Sequence, residues 1–309
     1  MSVTRRGFLA SSAVAAVAGA IGRPSAAYAW WQQPAPMPVF TDIRRKVGYF
    51  TMQGGTIGYL NEPRGGVVVD SQYPQTAPAF IKGWNERSNG AAILRLINTH
   101  HHADHTGGNI AFKGIARQVI AHATAAEHMK NPPGQQPPTT EQLYPDRTFT
   151  AVWREQIGDE WVRAKYYGVG HTSGDAVITF ERANVAHMGD LMWHLRHPVI
   201  DKAAGASIKN WISVLEKAAA DHNSDTIYIF GHANTGLPVT GPRAALMAFR
   251  DYLTGLLAFV EAQVKAGKSR DEILATQGPL PGFDAYGPLP AKPAPRGALY
   301  SAVEEVFGK

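Results

Sequence analysis

The stretch Thr99-His100-His101-His102-Ala103-Asp104-His105-Thr106-Gly107-Gly108-Asn109 sets the imidazoles of His100, His102 and His105 and the carboxylate of Asp104 at spacings suited to metal ions. On an extended backbone, side chains i and i+2 point to the same side. His100 and His102 can then grip one ion while His101 points away, and Asp104 and His105 face a second position. The Thr106-Gly107-Gly108 segment permits a sharp reversal and a close approach of backbone to the site. This pattern reads as a dinuclear metal site. The chain has no cysteine, so any metal must be held by His, Asp or Glu, and no disulfide is available.

The elements that position such a cluster can be read from apolar periodicity. The run Ala91 to Ile97 is too short for a helix and is bounded by Gly90 and Asn98, so it reads as a buried strand feeding the histidines. Three more candidate ligands fall where strand-like runs end: His171 after Val169-Gly170, Asp190 closing Ala186-His187-Met188-Gly189-Asp190, and His232 closing Ile229-Phe230-Gly231-His232. A glycine precedes each, as expected where backbone bends into a crowded site. Further strands are expected over 67–69, 118–121, 149–155, 161–167, 176–181, 185–188 and 226–230. Helices are expected over 75–88, 124–130, 207–220 (with Ser207 as N-cap), 242–266, 270–276 and 298–307. The segment Asn131 to Pro138 is too rich in proline for regular structure and forms a surface loop or the rim of a substrate mouth. Strand blocks separated by helices, repeated twice, imply an α/β domain of two sheets back to back with helices outside.

The N-terminus carries a different kind of signal. Thr4-Arg5-Arg6-Gly7-Phe8-Leu9 is a twin-arginine pattern, followed by a mild apolar run from Phe8 to Ile21 and by the cleavage signature Ala27-Tyr28-Ala29. Residues 1–29 are therefore expected to be a twin-arginine signal peptide, recognised by that export machinery and removed, and residues 30–309 a single domain working in the periplasm or as a secreted protein. The apolar run is shorter than the ~20 residues of a spanning helix, so no stable membrane insertion is expected after cleavage. The formal charge of +5 includes Arg5, Arg6 and Arg23; without them 27 basic residues face 25 acidic ones, which leaves no footprint for nucleic acid.

Taken together, these motifs resemble the metallo-β-lactamase superfamily. Its H-x-H-x-D-H motif is matched by His100, His102, Asp104 and His105, and its downstream His, Asp and His by His171, Asp190 and His232. Asp70, after Val67-Val68-Val69, matches that family's buried aspartate, which props the metal loop. The resemblance implies a four-layer αββα sandwich of two mixed sheets with the site at one edge. It also implies that one metal takes His100, His102 and His171, the other takes Asp104, His105 and His232, and Asp190 bridges them. Two Zn2+ ions suit this donor set, with Fe or Mn as alternatives.

The implied activity is that of a hydrolase, with the catalytic aspartate, Asp104, orienting the nucleophile or passing a proton to the leaving group. A hydroxide shared by the two ions would attack an ester, thioester, lactone or lactam carbonyl of a small-molecule substrate. True β-lactamases carry Cys or Ser where this chain has Asp190, so the resemblance is greater to the glyoxalase II, lactonase and phosphodiesterase branches. A β-lactamase, a phosphodiesterase and a non-hydrolytic oxygenase or metal-binding member remain alternatives, although the intact His102 departs from redox branches that place a carboxylate there. Trp193, His194 and Asn234 are candidate substrate contacts because they flank Asp190 and His232; Tyr167 and His197 are further candidates. His101, His122, His128, His187 and His222 have no comparable argument and read as structural.

Overall fold

The computed structural model describes residues 37–290 and 295–308, so the expected signal peptide, 1–29, lies outside the described residues. A seven-stranded sheet runs in sequence order: β1 (Val39–Arg44), β2 (Val47–Thr51), β3 (Ile57–Leu60), β4 (Gly66–Val69), β5 (Ile93–Asn98), β6 (Val119–His122) and β7 (Arg147–Phe149). Its first four strands form an antiparallel meander, and β4 to β7 are parallel. The crossovers are α1 (Ala77–Ser88), the metal loop with its short helix α2 (Ala103–Thr106), and α3 (Ala123–Lys130).

The second sheet holds β8 (Val152–Ile157), β9 (Glu160–Lys165), β10 (Val177–Phe180), β11 (Val185–His187), β13 (Ile227–Ile229) and β15 (Thr240–Gly241), in the order β15-β13-β11-β10-β9-β8. Only β11 and β13 pair in parallel, joined through α4 (Ile208–Asp221). A two-stranded parallel ribbon, β12 (Trp193–His194) with β14 (His232–Ala233), stands beside it. The chain closes with α5 (Arg243–Lys265), α6 (Arg270–Leu274) and α7 (Ala298–Phe307). No helix among the described residues is long and apolar enough to cross a membrane.

The layers follow from side chains alternating across each strand. Val67, Val69 and Ile97 point between the sheets and meet Val162, Ile178, Val185 and Ile229. Their neighbours Val68 and Leu96 point outward, against Phe80 and Trp84 of α1. On the far side Val177, Ala186 and Tyr228 cover Trp211 and Leu215 of α4 and Phe249 and Leu253 of α5. Strands buried on both faces read as continuous Val/Ile/Leu runs because neither side is left to water. The result is the expected αββα order.

The expected helices and strands are present with ends displaced by a few residues. The segment 149–155 is divided, however: Phe149 ends β7 in the first sheet and Val152 begins β8 in the second. Thr106-Gly107-Gly108 does not reverse the chain either; α2 runs into a 3-10 helix, Gly107–Phe112. The glycine there serves close approach instead, since a Cβ on Gly108 would overlap the Ser71 carbonyl oxygen.

Candidate metal centre

The candidate ligands meet at the ends of strands from both sheets. β5 delivers His100, α2 begins just past His102 and carries Asp104 and His105, the loop after β9 brings His171, a 3-10 turn after β11 brings Asp190, and β14 begins at His232. His100 Nε2 lies 3.1 Å from His102 Nδ1, which lies 2.9 Å from His171 Nε2. Asp190 Oδ2 closes this group at 3.8 Å from His100 Nε2 and 3.4 Å from His171 Nε2. Beside it, His105 Nε2 and His232 Nε2 are 3.3 Å apart, and Asp104 Oδ2 is 3.1 Å from His232 Nε2 and 3.7 Å from His105 Nε2. Asp190 Oδ1 faces this second group, 2.9 Å from His105 Nε2 and 3.3 Å from His232 Nε2.

These separations fit metal ions. Four donors each ~2.0–2.1 Å from a tetrahedral ion stand ~3.3 Å from one another. Asp190 turns one carboxylate oxygen to each group and is almost fully buried.

Four of the five imidazoles have the nitrogen that faces away from the groups held by a partner. Thr99 Oγ1 donates to Asp70 Oδ2 at 2.7 Å and is therefore free to accept from His100 Nδ1 at 3.0 Å, which leaves Nε2 bare. Asp70, in a left-handed conformation at φ 64°, also accepts from His105 Nδ1 at 2.8 Å and from the Thr99 backbone N–H at 2.8 Å. His171 donates through Nδ1 to the Val199 carbonyl at 2.9 Å. His102 is turned round: Nε2 faces Asp201 Oδ2 at 2.8 Å and Arg296 Nη2 at 2.6 Å, so Nδ1 points into the group. Fixing the outer nitrogen in this way orients the ring and raises its basicity toward a metal.

The electrostatics divide the two halves. Burial pushes the His100 imidazole well below its ordinary pKa, with His105 adding to the effect, and burial lowers His171 to about 3. Both rings are neutral and offer lone pairs. Burial also disfavours charge on His105, yet Asp190, Asp104 and Asp70 together hold it well above the ordinary value. Asp104 falls to about 2 in spite of its burial, held there by His105 and by its hydrogen bond with His232. This half is a carboxylate-rich pocket that attracts positive charge.

A family model described as the metallo-beta-lactamase superfamily matches residues 52–232. The chain belongs to that superfamily. Metallo-beta-lactamase type 2 of Bacillus sp. (strain 170) is 26% identical over 200 residues, which is 63% of this chain and 73% of the relative. A hydroxyacylglutathione hydrolase of Rhodospirillum rubrum is 31% identical over 121 residues, 39% of each chain. Among solved structures, a metallo-beta-lactamase from Pontibacter korlensis superposes with a TM-score of 0.57 at 19% identity, covering 71% of this chain and 99% of its own. The inverting sec-alkylsulfatase of a Pseudomonas species reaches a TM-score of 0.67 at 16% identity, over 88% and 50%. At these identities the structures show a shared fold. The superfamily consists mostly of hydrolases, and this chain is read as an enzyme with His/Asp groups able to bind metal.

The remaining candidates fall into two groups. Trp193 and His194 form β12 of the ribbon that carries His232, and Asn234 follows β14, its backbone N–H donating to the His194 carbonyl at 2.9 Å. Trp193 is buried; its indole stacks on the His232 ring at 4.4 Å and donates to the Asp190 carbonyl at 2.9 Å, so it backs the ligands. His194 is half-buried and bonds the Pro238 carbonyl, and Asn234 is exposed. Tyr167 and His197 lie elsewhere. The Tyr167 hydroxyl meets Asp221, and His197 meets the Tyr252 hydroxyl at 2.7 Å among aromatic side chains of α5 and the tail. Both are packing residues.

Sequence reasoning missed Asp201. It is 1% exposed, accepts from Arg296 Nη2 at 2.7 Å as well as from His102, and its pKa falls to about 2 despite burial, through the His102 hydrogen bond and Arg296. No glycine or strand run marks it. The one available signal was an aspartate closing the apolar pair Val199-Ile200 after Asp190.

Proposed function

We propose that the protein is a dinuclear zinc hydrolase acting on an ester, thioester, lactone or lactam carbonyl. The observation that carries this reading is Asp190, whose two oxygens face separate groups of ligands. His100, His102 and His171 would hold one ion, Asp104, His105 and His232 the other, and Asp190 both. Iron or manganese would suit the same oxygen and nitrogen donors. Two ions bound there supply a shared water with its pKa lowered toward ~7 and polarise the oxygen of the group under attack.

The chain's own residues do the rest. Asp104 is the most exposed of the carboxylates, 24% against 2% for Asp190, so it can reach a substrate, orient the nucleophile and pass a proton to the leaving group. Trp193 and Trp211 wall the histidines from water, the latter 5.6 Å from the His171 ring. The hydroxyacylglutathione hydrolase relative favours thioester and ester chemistry. The longer match to a metallo-beta-lactamase favours a lactam as the second reading.

The test is metal analysis with hydrolysis assays on p-nitrophenyl acetate, a γ-lactone, a thioester, nitrocefin and bis-p-nitrophenyl phosphate. Two zinc ions per chain and turnover of a carbonyl substrate, lost on chelation, are expected. One redox-active iron per chain, or inertness to every substrate when two metals are bound, would reject the proposal. We further propose export to the periplasm or medium by the twin-arginine machinery, without stable membrane insertion. Changing both Arg5 and Arg6 to Lys should retain the protein in the cytoplasm, and undiminished export would refute the route.

A further inference from the structure

The loop before β3 crosses from the first sheet to the second. Pairing of β3 begins at Ile57, so the backbone groups of Gly55 and Thr56 lie just outside the ladder and need partners elsewhere. The Gly55 N–H donates to the Asp104 carbonyl at 2.9 Å, and the Gly55 carbonyl accepts from Gln72 Nε2 at 2.8 Å. Thr56, 2% exposed, donates twice to the Gly231 carbonyl, from its backbone N–H at 3.0 Å and from Oγ1 at 3.2 Å. The Thr56 carbonyl accepts from His187 Nε2 at 2.9 Å, and His187 Nδ1 accepts from the Gly189 N–H at 3.1 Å. A carbonyl only accepts and a backbone N–H only donates, so the neutral tautomer with its proton on Nε2 satisfies both bonds. His187 is fully buried, and both of its nitrogens are committed to backbone of two different segments.

Three of these partners adjoin ligands of the second group. Asp104 is itself a ligand and precedes His105, Gly231 precedes His232, and Gly189 precedes Asp190. Asp104 and His105 belong to the metal loop after β5 of the first sheet, whereas Asp190 and His232 follow β11 and β13 of the second. The spacing of the four ligands therefore depends on how the sheets are joined at this edge. Gly55 leaves no slack there, since a Cβ on it would fall 2.2 Å from His105 Cε1. The first group has a tie of its own: the Ala176 N–H donates to the Thr99 carbonyl at 2.8 Å and joins the metal loop to the segment after His171.

We propose that Thr56 and His187 are positioning residues for the second ion, tying the backbone beside Asp104, Asp190 and His232 into one arrangement. The inference rests on the two-ion reading and adds to it that the two positions are supported separately, so the second can be weakened while the first is kept. Outer partners that orient metal ligands change affinity by about 10–100-fold. Thr56 and His187 act one residue removed, on the backbone, so the lower end of that range, about tenfold, is expected.

The test is a stepwise zinc titration against a chromophoric chelator on the wild type and three variants. Thr56→Val keeps the shape and the backbone bonds of Thr56 and removes the hydroxyl, while Thr56→Ser keeps the hydroxyl. His187→Asn keeps an acceptor for the Gly189 N–H and falls short of the Thr56 carbonyl. Thr56→Val and His187→Asn should each weaken the second zinc by about tenfold and leave the first within twofold, and Thr56→Ser should match the wild type within twofold for both. Protein carrying 15N-histidine identifies the ion affected, each ring signal being assigned by its loss from the matching alanine variant. The His105 and His232 signals should shift only at higher zinc, and those of His100 and His171 at the same zinc as in the wild type. Equal weakening of both ions, weakening of neither, or a Thr56→Ser variant as weak as Thr56→Val would overturn the proposal. Melting curves recorded with zinc and with EDTA control for folding: a Tm drop as large in EDTA as in zinc would make the two residues general stabilising contacts and would refute the role. A wild type that binds a single zinc would reject the two-ion reading and this proposal with it, whereas two zinc ions with undisturbed variants would sink the positioning role alone.

Discussion

Asp201→Asn tests how the His102 tautomer is set. In the native arrangement Asp201 Oδ2 accepts from His102 Nε2 and Arg296 Nη2, while Oδ1 accepts from the Ala204 backbone N–H at 3.2 Å. An asparagine side chain has one acceptor oxygen. Whichever way it turns, an NH2 group faces a donor, and the charge opposite Arg296 is lost. His102 then has less reason to keep its proton on Nε2, and a proton on Nδ1 would block the atom aimed at His100 and His171. Losing such an outer partner lowers metal affinity by 10–100-fold, or about 1.4–2.7 kcal/mol. At saturating metal the same energy disappears from the stability of the metal-bound protein. For a domain of this size that lowers Tm by about 3–10 °C, at roughly 2–4 °C per kcal/mol. The assay is zinc competition against a chromophoric chelator, with melting curves recorded with zinc and with EDTA. Zinc affinity within twofold of wild type would refute the argument, as would a Tm drop equal with and without zinc, which would make Asp201 a general stabilising residue.

Other expectations concern the ligands, their backbone and acid stability. His102→Ala and Asp104→Ala should abolish turnover, and retention of activity within about tenfold, ~1.4 kcal/mol, would defeat the mechanism. Gly231→Ala should reduce bound metal and activity together, because its Cβ would overlap Asp190 Oδ1 and lie 2.6 Å from the Gly189 carbonyl oxygen; normal metal content would show that the turn yields. His222, buried against Thr179, has its pKa lowered by burial from 6.5 to about 4. The unfolded chain therefore takes up the proton first, so stability falls as pH drops from about 6.5 toward 4, by at most about 3 kcal/mol. His222→Gln should flatten that limb in urea titrations, and an unchanged slope would argue against it.

Much of the site was legible in the sequence because its ligands sit where apolar strands stop. The runs before Asp70, His100 and His232 are rich enough in Val, Ile, Leu and aromatic residues to announce buried strands, Asp190 follows a shorter run that begins at Val185, and a ligand at a strand end inherits a fixed place in the sheet. His171 was legible through its glycine neighbour. What escaped notice depends on contacts across the chain. Asp201 meets His102 only because the loop after β12 folds back, and no local pattern encodes that. Trp193 reads the same from sequence whether it lines a mouth or backs a ligand; its stacking on His232 decides. The division of 149–155 between two sheets was hidden because both halves alternate similarly, and only the partner strands differ.

The contact of Arg296 with Asp201 spans 95 residues of chain. Nearby, Glu305 of α7 accepts from the backbone N–H groups of Ile208 and Lys209 at the start of α4. Ribosomal synthesis proceeds from the N-terminus, so the H-x-H-x-D-H segment emerges long before the residues that brace it. A nascent chain stopped short of Arg296 would display every proposed ligand, and Asp201 beside His102, and would still lack the guanidinium that pairs with Asp201. The Arg296–Asp201 contact and the Glu305 bonds to the start of α4 can therefore be made only once the residues beyond 295 have been synthesised.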